Sequence, residues 1–156
     1  MTERELNIAL REMARTQGLC DEWYGEWKDD DTIDMCLDRA IRGFDFCVKS
    51  DYPPLGFIRR NFDKEALHRH NIYLDEEVKV EDGENGYYVF LGDCVADISF
   101  DGFKAASVYV RHGCNVNVKA SGGAKVFVTY YDGSKGECSN DGWSVCKKYD
   151  RRKKEG

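Results

Sequence analysis

The sequence predicts an α+β chain in which a helical region is followed by a short β-solenoid of about twenty residues per coil. Three observations predict it. The stretch from 94 to 150 repeats at an offset of twenty, so that Ala96–Gly102 falls on Val116–Gly122 and, more faintly, on Gly136–Gly142. A second track repeats at the same offset, with Ala106–Gly113 over Val126–Gly133, and Cys94 lands on Cys114. Within both tracks apolar residues alternate, as in Val108/Val110, Val116/Val118 and Val126/Val128, and each run ends at a glycine. A period of two marks a strand with one buried face, and a fixed repeat marks stacked units that share a core. An antiparallel β-meander or sandwich is the alternative, because Asp101-Gly102, Asp132-Gly133 and Asp141-Gly142 are hairpin signals. A meander needs only loose spacing and has no reason to hold one strict period across two tracks.

The helices come first. Thr2 and Glu5 make a capping box, Leu6, Ala9, Leu10, Met13 and Ala14 follow at helical spacing, and Gly18 is the stop. A short second helix carries Trp23 and Trp27 four residues apart, which places both on one face. Asp29-Asp30-Asp31-Thr32 supplies caps and negative charge to a third helix, whose stripe runs from Ile33 through Leu37 and Ile41 to Phe44 and Cys47/Val48. Pro53-Pro54 restarts the chain into a helix bearing Leu55, Phe57 and Ile58, and Asp63 caps another through Leu67 that closes at Asn71. Ile72–Leu74, Val78–Val80 and Tyr87–Leu91 then alternate as strands that feed the repeat. The organisation expected is a helical cap region over 1–71, a solenoid over 72–150 and a disordered basic tail over 151–156. The helices are expected to cover one end of the solenoid, and Trp143 and Tyr149 the other.

Composition narrows the classes. The chain has 156 residues, 42% hydrophobic and 33% charged, which suits a globular protein with a real core. No apolar run approaches the length of a membrane span, and Met1–Glu5 lacks the basic and apolar regions of a signal peptide. Seven cysteines without a Cys-x-x-Cys pair fit reduced thiols in the cytoplasm better than a disulfide framework or a zinc ribbon. The net charge is −6, with the acidic excess in the first half and a mildly basic second half. The basic residues gathered at the end, from Lys147 to Lys154, are read as a solvated terminus, which makes nucleic acid an unlikely partner.

Few residues suggest chemistry. His68-Arg69-His70 has the wrong spacing for a shared metal ion on a helix, and the Asp29–Asp31 run lacks the alternating ligands and glycine of a calcium loop. No phosphate loop, nucleophile elbow or carboxylate pair is present, so neither a cofactor nor a metal is expected and the chain reads as a non-enzyme. The binding candidates are Trp23 and Trp27, whose more frequent role is core packing, and Tyr109, Arg111 and His112 at a repeat corner.

The segments Leu19-Cys20-Asp21-Glu22-Trp23 with Trp27, Gly43-Phe44-Asp45-Phe46-Cys47 and Asp51-Tyr52-Pro53 resemble the helical start of uncharacterised proteins from prophages and mobile elements of gut bacteria. Val108-Tyr109-Val110-Arg111-His112 and Ala124-Lys125-Val126-Phe127-Val128 resemble their C-terminal halves. The resemblance implies a small bacterial or phage protein of the cytoplasm and transfers no activity. The function expected is therefore a non-catalytic interaction or assembly module, acting on a protein partner or as a homodimer formed through the β half. An acidic decoy for a nucleic-acid-handling protein is the alternative, and a carbohydrate-active β-helix enzyme comes third.

Overall fold

The computed structural model describes residues 1–152, so most of the expected basic tail lies outside the described residues. These residues form six helices followed by nine strands, in two compact units divided between His70 and Asn71.

The first unit is helical. α1 (Glu3–Thr16) starts at Thr2, whose hydroxyl accepts from the Glu5 amide, and buries Leu6, Asn7, Leu10 and Ala14. α2 (Asp21–Glu26) is short, and Trp27 follows it in extended conformation. The single long stripe expected from Ile33 to Val48 is divided in two: α3 (Ile33–Arg42) ends at Gly43 and α4 (Phe44–Ser50) begins there. The Trp23 ring lies over that break, where a β-carbon on Gly43 would stand 3.0 Å from it. Leu37 and Phe44 are buried as expected, whereas Ile41 is only half-buried. α5 (Leu55–Asn61) and α6 (Lys64–His68) complete the unit.

One polar residue organises this core. Asn7, fully buried, donates to the carbonyls of Lys28 and Asp29 and accepts from Trp27 Nε1 at 2.6 Å and from the Cys36 thiol. All its hydrogen-bonding groups are used, as a buried amide requires. The aspartate run does something other than cap. Thr32 alone caps α3, Asp29 pairs with Arg11, and Asp31 is buried against Arg39, whose guanidinium sits 4.5 Å from the Trp27 ring centre. Beyond α6, His70 bridges Asp34 and Asp38, one turn apart on α3, and Arg69 joins Asp34.

The second unit is a parallel β-solenoid. β1 (Ile72–Leu74), β3 (Gly86–Leu91), β5 (Ala105–Val110), β7 (Lys125–Tyr130) and β9 (Val145–Asp150) form a five-stranded sheet in that order. β2 (Glu77–Val80), β4 (Val95–Asp101), β6 (Asn115–Ser121) and β8 (Cys138–Asn140) form a four-stranded one. Every pairing is parallel, and Ile98 stacks on Val118 as Val108 stacks on Val128. The solenoid, not the meander, is the fold. Ile72 pairs with Val89 and Glu77 with Val95, so the first coil is shorter than the twenty-residue coils that follow.

Inward residues of the two sheets form one core, including Phe90, Ile98, Phe100, Val108, Val116, Val128 and Tyr130. Large and small side chains complement one another along a column: Phe100 stacks on Ala120, and the Phe100 ring fills the space a side chain at Gly83 would need. The corners are laddered too. The Gly92 amide donates to His112 Nδ1 and the Gly122 amide to Asp141, each reaching one coil along.

The last coil closes differently from the expectation. Trp143 is 64% exposed and Tyr149 37%, so neither covers the core. Lys148, in register with Val128, takes the inward position instead; its Nζ donates to the Gly136 carbonyl and lies 5.0 Å from the Tyr130 ring centre. Its stem follows the end of the column, exposed to solvent on its other side, while its charge reaches an acceptor.

Candidate interaction face

Because strand residues alternate, the outward side of the five-stranded sheet is fixed by the core residues. With Tyr88, Val108, Val126 and Val128 inside, Tyr87, Tyr109, Lys125, Phe127, Val145, Lys147 and Tyr149 point out. The parallel register brings outward rings of neighbouring strands together on diagonals. Tyr87 and Tyr109 stack with centroids 6.1 Å apart and planes inclined by 10°, and Phe127 and Tyr149 meet at 6.3 Å and 34°. Lys147, the register partner of Phe127, lies over the Tyr149 ring at 5.0 Å. At the corner leading into β5 and β9, Phe103 and Trp143 pack edge to face and are largely exposed.

This face carries no carboxylate at any outward position of β3, β5, β7 or β9. The outward side of the four-stranded sheet differs in kind. There Glu77, Asp97 and Glu137 alternate with Lys79, Lys119 and neutral Asn117, and all of these but Glu77 line an open groove. Its polar groups bond along the ladder: the Asn117 amide donates to Asp97, and the Glu137 amide donates to the Asn117 carbonyl oxygen.

The residues singled out from the sequence are distributed rather than gathered. Trp27 lies off the helix and inside the helical unit, 6% exposed, so it does not share a face of α2 with Trp23. Trp23 is half-buried against Gly43. Tyr109 belongs to the outward face of the five-stranded sheet. Arg111 is buried, and His112 holds a left-handed corner with φ 56°, its Nδ1 accepting from Gly92. Phe127, Val145 and Tyr149 had a legible signal in the sequence: the twenty-residue alignment combined with alternation puts them at outward positions.

The thiols are all free, and Cys94 and Cys114 do stack on successive coils, with the Cys94 amide 3.3 Å from the Cys114 sulfur. The contact with Cys94, together with burial, pushes the Cys114 thiol upward. Among the described residues no group of three or more histidine, cysteine or acidic side chains is arranged to hold a metal ion. No helix among them is long and apolar enough to cross a membrane. Comparison with family models, with curated proteins and with solved structures finds no match to this chain.

Proposed function

We propose that this chain is a non-catalytic interaction module that presents the outward surface of the last two strands of its five-stranded sheet, β7 and β9, to a partner protein. The observation that carries the reading is the gathering of exposed Phe127, Val145 and Tyr149 with Lys125 and Lys147 on two hydrogen-bonded strands. Apolar side chains scattered singly are ordinary on a surface, whereas contiguous ones rimmed by charge mark contact sites. The two strands beneath them are paired along their whole length, which limits the backbone freedom left to lose when a partner docks.

The acidic-decoy reading has less support, because Lys79 and Lys119 interrupt the carboxylates of the four-stranded sheet. A homodimer through the β half is the second reading, favoured by the same exposed apolar residues. A two-fold pair through this face would bring basic surfaces together, so such a dimer would tighten as salt screens them. Light scattering at two salt levels checks that sign.

The proposal is tested by capture on the immobilised chain from an extract of the cells that make it, beside a Phe127→Ser/Tyr149→Ser variant. At least one protein is expected to be retained by the wild type and lost with the variant. Identical retained sets would overturn the assignment of the face.

A further inference from the structure

We infer that the outward surface of β7 and β9 docks an acidic segment of another protein, a reading that rests on the interaction function proposed above. The first support is the segregation of charge. The chain has 29 acidic and 23 basic side chains, yet the outward positions of this sheet's last two strands hold Lys125 and Lys147 and no carboxylate. In an acidic protein, such a face complements a partner of the opposite sign.

The second support concerns how the partner can approach. β9 is an edge strand, and an open edge invites another strand. This one is guarded. Lys148 points inward beneath the core, and Arg152 ties Asp150 to the Ser134 carbonyl just beyond the strand. An inward-pointing charge and a basic edge both discourage strand addition. The partner therefore lies across the face, against Phe127 and Tyr149, rather than extending the sheet.

The third support selects among anionic partners. Single-stranded nucleic acid binds by stacking bases on open ring faces. Here Tyr87 and Tyr109 already stack on each other, and the Tyr149 ring already meets both Phe127 and the Lys147 ammonium. A protein segment bearing carboxylates needs only the ammonium groups and the apolar contact, and both are exposed. A second copy paired two-fold through this same face would set like charges against one another.

The test uses the full chain and a fluorescent random copolymer of glutamate and tyrosine, read by anisotropy, with short oligothymidylate as the rival probe. The copolymer is expected to bind, and Lys125→Glu/Lys147→Glu to weaken it by about tenfold or more. Lys79→Glu/Lys119→Glu, the same charge change on the other sheet, is expected to weaken it by less than about twofold. Phe127→Ala/Tyr149→Ala is expected to weaken it at unchanged net charge, with circular dichroism confirming that each variant is folded. Equal losses from the two charge reversals, tighter binding of oligothymidylate, or no copolymer binding would each overturn the inference. The capture experiment separates this failure from that of the interaction function: a protein still lost with Phe127→Ser/Tyr149→Ser but indifferent to Lys125→Glu/Lys147→Glu leaves the function standing and removes the acidic partner.

Discussion

Phe103 and Trp143, two coils apart, meet edge to face across Gly123, with ring centroids 6.1 Å apart. The contact exists because the coil between them has no side chain. A β-carbon on Gly123 would lie 2.7 Å from the Phe103 ring and 3.0 Å from that of Trp143. One glycine thus converts a corner ladder into an exposed aromatic pair, a geometry typically worth about 0.5–1.5 kcal/mol beyond burial.

A matched pair of substitutions isolates that effect. Gly102 and Gly123 share a φ of +93°, but the space beside Gly102 is open. Alanine at either position meets backbone strain of about 1–2 kcal/mol, and alanine at Gly123 must also displace two rings. Denaturant unfolding is expected to show Gly123→Ala as the more destabilised. Equal losses would show that the rings yield without cost.

Phe100 and Phe103 lie three residues apart and in opposite environments. Phe100 is fully buried, with its ring edge-on to Tyr88 at 5.5 Å, while Phe103 is 87% exposed. Phe100→Ala is expected to cost about 3–5 kcal/mol. Phe103→Ala is expected to stay within about 0.5 kcal/mol of neutrality apart from the aromatic contact itself. A small loss at Phe100 would contradict the assigned core.

The corner at Asp141 is expected to respond to acid. Its carboxylate accepts from the amides of Ser144, Gly122 and Trp143, and these bonds, with that of Ser144 foremost, hold its pKa down at about 2. A folded-state pKa below the unfolded value of about 3.9 contributes stability that is present above that value. The contribution is lost as pH falls from there through about 2. Unfolding midpoints measured from pH 5 downward are expected to fall less steeply for Asp141→Asn than for the wild type. Superimposable pH profiles would remove Asp141 from the acid response.

Thiol reactivity should follow burial. Cys20 is exposed, whereas burial pushes Cys36 up to about 11. Native alkylation near neutral pH is expected to label Cys20 first and Cys36 only on unfolding, with no disulfide in the purified chain. Labelling of Cys36 at the Cys20 rate, or a Cys94–Cys114 bond required for folding, would contradict the core packing described.

The solenoid was legible because its physics is periodic. Each coil must offer an apolar side chain at the same inward position as the coil before it, so the repeat and the alternation state the register directly. The ends were less legible, since closing a column breaks the pattern. Lys148 stands where the repeat predicts a valine, and only the position of the Gly136 carbonyl explains the lysine. In the helical unit, periodicity ran straight through Gly43, because the Trp23 ring that packs over it comes from a distant part of the chain. The role of Asn7 is not readable from its apolar sequence neighbours for the same reason: its partners Trp27, Cys36 and the 28–29 carbonyls are set by tertiary structure. The candidate face lay between these cases. Its residues sat at readable outward positions, but their meaning came from charge segregation between two sheets.

The most direct test of that face is a pair of photo-crosslinking probes. Benzoylphenylalanine placed at position 127 on the five-stranded sheet, and separately at position 119 on the four-stranded one, would be irradiated in cells that make the protein. The account predicts a covalent adduct of discrete mass from position 127 and none from position 119. Adducts from position 119 alone, or from neither position, would contradict it.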